Sequence, residues 1–154
     1  MRTQRRSRPN LSASLAVAAT FLVLPGCGDR LSQVSGAVTL DGQQVFAKDG
    51  VMATIMFQPA SGGPSAVGRL DQDGRYHIST GAQAGLTPGE YVATCAINKL
   101  IPSTTGGAAS AKGMSDPKYA NSNTSGFKFT VRPGNNEFDL ALESAGKSAA
   151  NRGS

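Results

Sequence analysis

The chain of 154 residues has no tryptophan, a single histidine, two cysteines and no apolar run long enough to cross a bilayer. A membrane-spanning helix needs about 20 apolar residues, whereas the longest apolar stretch, Leu11 to Leu24, is interrupted by serine and threonine. The single histidine, His77, has no neighbouring cysteine or carboxylate pattern and does not match the ligand spacing of a zinc site. We therefore predict no metal ion and no cofactor.

Sequence motifs for catalysis or nucleic-acid binding are also missing. After residue 27 the chain has no Gly-x-Ser-x-Gly elbow and no phosphate-binding glycine loop. The chain carries 15 Lys and Arg against 10 Asp and Glu. Four arginines precede Cys27 and no acid does, so the rest of the chain has a net charge of +1. Its basic residues are scattered singly, which argues against a nucleic-acid partner.

The N-terminal segment has the three parts of a secretory signal peptide: four arginines, an apolar stretch and a small residue before a cleavage point. The cleavage point coincides with Cys27. Leu24-Pro25-Gly26-Cys27 resembles the bacterial lipobox, with Leu24 at −3, Gly26 at −1 and Cys27 at +1. This resemblance implies that residues 1–26 are removed and that the Cys27 thiol is the lipid-attachment site.

The lipobox implies an envelope location. A single acyl chain binds membranes weakly, but two or more chains, such as palmitate, anchor a protein stably. Gly28 follows Cys27 and, by resemblance to the sorting preferences of some double-membraned bacteria, provides no inner-membrane retention signal. We therefore expect residues 27–33 to be a lipidated tether and favour the outer membrane over the inner membrane.

Residues 34–143 show the alternation of a small all-β domain. Short strands with frequent turns and no helix are typical of an antiparallel β-sandwich of about seven strands, and an open barrel is the alternative. We predict a mobile loop at about 100–113 and a flexible tail at 144–154. The predicted strands are Val34 to Leu40, Val51 to Phe57, Ala66 to Leu70, Arg75 to Ser79, Glu90 to Asn98, Phe127 to Val131 and Asn136 to Leu142.

Two further positions could carry chemistry. Cys95 lies in an alternating apolar run, and with Cys27 lipidated it has no disulfide partner, so we expect a small buried core residue rather than a reactive thiol. Asp71 and Asp73 fall in the turn Asp71-Gln72-Asp73-Gly74. An ordinary β-turn is favoured over a calcium loop because the twelfth position counted from Asp71 is Ala82, not a bidentate glutamate.

Short motifs, most of them at turns, occur in order at Val34–Gly42, Phe57–Pro59, Asp73–Tyr76, Pro88–Tyr91, Lys118-Tyr119, Thr124–Gly126 and Asn136–Leu140. Their order resembles that of carboxypeptidase regulatory-like domains, in particular those of small bacterial envelope lipoproteins. This resemblance implies a transthyretin-like sandwich that is non-catalytic and serves in adhesion, spacing or assembly, and it supplies no catalytic residues.

We therefore expect a lipid-anchored, non-enzymatic binding or structural module whose partner is an envelope protein. One alternative is a carbohydrate-binding module, for which the exposed aromatic platform would have to come from Tyr76, Tyr91 or Tyr119. Another is a hydrolase of transthyretin-like fold. That class depends on several histidines and a C-terminal Tyr-Arg-Gly-Ser, whereas this chain has His77 alone and ends Asn151-Arg152-Gly153-Ser154.

Overall fold

The computed structural model describes residues 30–104 and 106–147. The predicted signal peptide 1–26, Cys27 and the end of the tail lie outside the described residues. The described chain is mostly β, with a short 3-10 helix at Pro117–Ala120 and helical residues at 145–147. Its strands are β1 (Gln33–Leu40), β2 (Gln43–Gln44), β3 (Val51–Pro59), β4 (Ala66–Leu70), β5 (Arg75–Thr80), β6 (Gln83–Ala84), β7 (Gly89–Ile101), β8 (Ser110–Gly113), β9 (Phe127–Val131), β10 (Asn135–Glu137) and β11 (Leu140–Leu142).

These strands form one mostly antiparallel, curled sheet in the order β10-β1-β5-β4-β3-β7. The remaining edge of β7 pairs with β9 along its first residues and with β8 along its last. The curl brings the two edges of the sheet, at β9 and β10, close together. Phe129 of β9 and Phe138, just after β10, stack with ring centroids 4.4 Å apart. The Asn136 side chain also accepts from the Arg132 amide and donates to its carbonyl across the intervening turn.

The core fills the inside of the curl. Odd-numbered residues of β3 and β7, from Ala53 to Phe57 and from Tyr91 to Ile97, point inward and are buried, as their alternation predicts. Phe57 is fully buried and contacts the rings of Tyr76, Tyr91 and Phe129. Because tryptophan is lacking, this aromatic cluster is the bulkiest part of the core.

The last predicted strand, Asn136 to Leu142, is wrong as a single antiparallel strand. It is divided into β10 and β11, and both pair with β1 in the parallel direction. At the break the Asp139 carboxylate accepts a hydrogen bond from the Ala37 amide, 2.8 Å away. Gly36 permits the close approach of β1 to the segment between β10 and β11, because a Cβ at this position would lie 2.0 Å from the Phe138 carbonyl oxygen.

The mobile loop predicted at about 100–113 is shorter in the structure, because strands occupy both of its ends. Leu100 and Ile101 extend β7, and Ser110–Gly113 forms β8 against it. Glycine, serine and alanine give this edge strand little apolar periodicity, so its pairing is made by backbone hydrogen bonds rather than by a buried face.

Along the direction of the strands, the sheet has a near end and a far end. The near end, where the chain arrives at Arg30, comprises residues 30–32, 60–65 and 132–134. The far end comprises the turns at 41–50 and 71–74 together with β8. Strands β3 and β7 run the full length between these ends.

Candidate interaction face

The outer surface of β3 is uncharged from Met52 to Gln58, and that of β7 is uncharged from Val92 to Leu100; Glu90 lies at the near end of β7 on the same side. The register places Met56 beside Thr94, Thr54 beside Ala96 and Met52 beside Asn98. We call this surface, together with Val67 of β4, the outer face. Its members are Met52, Thr54, Met56, Gln58, Val67, Val92, Thr94, Ala96, Asn98 and Leu100.

Large apolar side chains project from the outer face into solvent. Met52 is 48% exposed, Met56 40%, Val67 41% and Leu100 37%. Val67 lies directly across from Met56, so two of these side chains are cross-strand neighbours. An antiparallel sheet that faces water on one side normally carries polar residues there, and grouped exposed apolar residues mark interaction surfaces.

Charged side chains border the outer face. Arg69 lies opposite Thr54 on one side, and Lys128 of β9 lies opposite Val92 on the other. An apolar centre with a charged rim is the usual arrangement of a protein-binding patch. Sequence reasoning identified these strands but missed the face; the available signal was the lack of charge at every second position from 52 to 58 and from 92 to 100.

His77 lies on the other half of the outer surface. Strand pairing puts Glu137, Ser35 and His77 in one row across β10, β1 and β5, lining a polar groove. The Glu137 carboxylate is bound to Arg75, and this ion pair raises the pKa of the Arg75 guanidinium. In the described residues no hydrogen bond joins His77 to Ser35 or to Glu137, and the serine lies between the other two. This row therefore lacks the base-orienting contact of a catalytic triad.

Cys95 lies beneath the outer face, opposite Ile55. It is 1% exposed, and burial raises the pKa of its thiol to about 12. The buried position expected for this residue is confirmed. A thiol with so high a pKa is protonated at neutral pH, and the thiolate is the reactive form.

The three tyrosines do not form an exposed platform. Tyr76, Tyr91 and Tyr119 are each at least 93% buried, with relative exposures of 0, 4 and 7%. The Tyr76 hydroxyl donates to the Phe138 carbonyl, and the Tyr91 hydroxyl donates to the Thr87 carbonyl. The Tyr76 hydroxyl therefore links β5 to the segment after β10, and the Tyr91 hydroxyl stabilises the near end of the sheet.

The carboxylate of Asp71 is used within its own turn. Its Oδ1 accepts from the Asp73 amide at 3.0 Å and from the Arg75 amide at 2.8 Å. Gly74 follows with a positive φ of 75°. Among residues 30–104 and 106–147, no three His, Cys, Asp or Glu side chains come together as a metal site, and no helix there is long and apolar enough to cross a membrane.

No family model, curated protein or solved structure matches the chain. The outer face thus has to be interpreted from its own chemistry.

Proposed function

We propose that the protein is a lipid-anchored, non-catalytic module of the bacterial cell envelope, favouring the outer membrane, that binds a partner protein through the outer face. The observation that carries this proposal is the outer face, which has no charged residue among its members and exposes four large apolar side chains on β3, β4 and β7. We also propose that the curled sheet is a sandwich of the carboxypeptidase regulatory-like type, on the motif resemblance described above.

The position of the proposed anchor supports a lateral partner. Arg30 is three residues from Cys27, and three extended residues span at most about 10 Å. Lipidation at Cys27 would therefore hold the near end of the sheet close to the membrane. Because β3 and β7 run from the near end to the far end, these strands would extend away from the membrane. The outer face would then point sideways, toward other envelope proteins.

The anchor is tested by intact-mass spectrometry of the membrane fraction. Wild-type protein is expected to begin at Cys27 and to carry added acyl mass, and the Cys27→Ser variant is expected to lose that mass. A wild-type chain that keeps residues 1–26, or that begins elsewhere without lipid, would contradict the anchor but would leave the outer face to be tested separately.

The binding role is tested by site-specific photo-crosslinking in intact cells. A photoreactive amino acid at Met56 is expected to give one discrete crosslinked product, while the same amino acid at Asn135, an exposed residue on β10, is expected to give none. Adding Val67→Glu, which puts a charge beside position 56, should abolish the product. A product that persists with Val67→Glu, or that forms equally from Asn135, would show that the outer face is not the binding surface.

A further inference from the structure

A second surface feature lies at the far end of the sheet, away from the outer face. It is a shallow pocket of about 280 Å³ between the 43–49 turn and the inner side of β3 and β7. Pockets that bind drug-sized molecules are about 300–1,000 Å³, so this one suits a smaller ligand. Its lining residues are Leu40, Gln43, Gln44, Val45, Phe46, Lys48, Asp49, Val51, Lys99 and Met114.

The floor of the pocket is apolar and continuous with the core. Val45 is buried, and Leu40, Val51 and Met114 are half-buried and pack against the core cluster. Lys99 and Val51 are direct partners in the β3–β7 ladder, so the lysine stands at the point where the inward-facing apolar row ends. A ligand in this pocket would therefore place an apolar group on the floor and a polar group at the rim.

The rim is basic. Lys99 faces Lys112 directly across the β7–β8 ladder, and like charges at such positions are destabilising. Lys48 approaches the pocket from the opposite side, with its Nζ 5.1 Å from the centre of the Phe46 ring. Within the part of the chain that the structure describes, none of the three lysines forms an ion pair. Asp49 is the one acidic residue in the lining.

The turn that carries Lys48 is held in place before any ligand binds. The Val51 amide donates to the Lys48 carbonyl, while Asp49 and Gly50 both have positive φ angles, of 52° and 79°. These are the features of a type I′ turn. The Ala47 amide donates to the Asp71 carbonyl, and the Leu100 amide donates to the Gly50 carbonyl. The rim therefore needs little rearrangement to bind a ligand.

We propose that this pocket binds a carboxylate attached to a compact apolar group. The apolar group occupies the floor formed by Leu40, Val51 and Met114, and the carboxylate lies between Lys99, Lys112 and Lys48. Such a ligand relieves the repulsion between the two opposed lysines. The same chemistry is present in a free small acid and in a protein C-terminus that ends in an apolar residue. The site goes beyond the proposed function and does not depend on the outer face.

The test is an NMR titration of the mature chain, residues 27–154 with Cys27→Ser, using N-acetyl-phenylalanine and its uncharged amide. The acid is expected to bind with a millimolar Kd, about −4 kcal/mol, and to shift the amide signals of Lys99, Lys112 and Gly50. The amide is expected to bind at least about tenfold more weakly, because charge-assisted contacts are lost. A peptide ending in Leu-Phe with a free carboxylate distinguishes the sources: tighter binding than the single residue indicates a protein C-terminus, and equal binding indicates a small acid.

Lys99→Gln and Lys128→Gln are matched variants, because both residues are exposed lysines in strands and only Lys99 lines the pocket. Lys99→Gln is expected to weaken binding of the acid about three- to fivefold without lowering thermal stability, since it also removes one of two opposed charges. Lys128→Gln is expected to leave binding unchanged. Equal binding of acid and amide, equal effects of the two variants, or no shift at about 10 mM acid, well above the expected Kd, would overturn the proposal.

Discussion

The outer surface of the sheet has two halves with different chemistry. The half formed by β3 and β7 is uncharged except for Glu90 at its near end and exposes methionine and leucine, whereas the half formed by β10, β1 and β5 carries Arg75 bound to Glu137, and the exposed His77. The two halves belong to the same curled sheet and cover the same core. Since burial of the core requires neither an uncharged nor a charged exterior, packing of the core does not account for the difference.

The largest loss of stability is expected in the charged half, where β1 passes close to the segment between β10 and β11. Gly36→Ala puts a Cβ 2.0 Å from the Phe138 carbonyl oxygen, so β1 and the β10–β11 segment have to separate. We expect a loss of at least about 3 kcal/mol in the free energy of unfolding, measured by urea denaturation. Gly113→Ala, on β8 next to the uncharged half, meets nothing closer than 3.9 Å and is the control. Equal losses in both variants would contradict the close approach of the Phe138 carbonyl to Gly36.

The next largest effect on the free energy of unfolding distinguishes the inner side of β3 from its outer side. Ile55 is fully buried and Met56, its neighbour, is 40% exposed on the outer face. Ile55→Ala is expected to cost about 2–5 kcal/mol through lost burial and a residual cavity. Met56→Ala is expected to change the free energy of unfolding by less than about 1 kcal/mol. A cost above 2 kcal/mol for Met56→Ala on the monomeric protein would show that Met56 belongs to the core and not to a binding surface.

The reactivity of Cys95 shows whether the core beneath the uncharged half is closed to solvent. Because burial raises the pKa of this thiol to about 12, iodoacetamide at pH 8 should leave Cys95 unmodified in the folded protein and modify it readily in urea. Mass spectrometry of the Cys27→Ser chain gives the extent of modification at Cys95. Rapid modification without denaturant would mean that β3 and β7 open, and that the outer face does not cover a closed core.

The smallest effect is expected in the charged half. Arg75 and Glu137 have side chains that are 42% and 62% exposed, so solvent screens their ion pair. Glu137→Gln should lower the melting temperature slightly in low salt and not at all in high salt. A large, salt-independent loss would indicate that the ion pair organises the polar groove around His77.

Much of the strand pattern follows from local sequence. Ala66 to Leu70 and Phe127 to Val131 have the predicted bounds, because alternation and glycine or proline turns at their ends are local signals. The parallel pairing of β10 and β11 with β1 could not be predicted, since it joins residues about 100 positions apart. The pairing of Ser110–Gly113 escaped prediction because small residues leave no periodic pattern.

The candidate sites show the same division. The segment Leu24–Cys27 that resembles a lipobox is contiguous, so the resemblance needs no structure to be recognised, and its lipidation stays a prediction. The outer face combines alternate residues of three strands, and the far-end pocket joins Lys48 to Lys99. Neither arrangement has a local spacing, because strand register alone decides which side chains become neighbours.

By itself, the sequence determined that the chain is all-β, which residues alternate toward a core, and where a turn such as Asp71 to Gly74 occurs. These properties depend on side-chain period and backbone preference over a few residues. Only the tertiary structure decided that the sheet curls until Phe129 meets Phe138, that its outer surface divides into charged and uncharged halves, and that lysines gather at its far end. Those outcomes depend on twist, register and closure, which arise from contacts between distant segments of the chain.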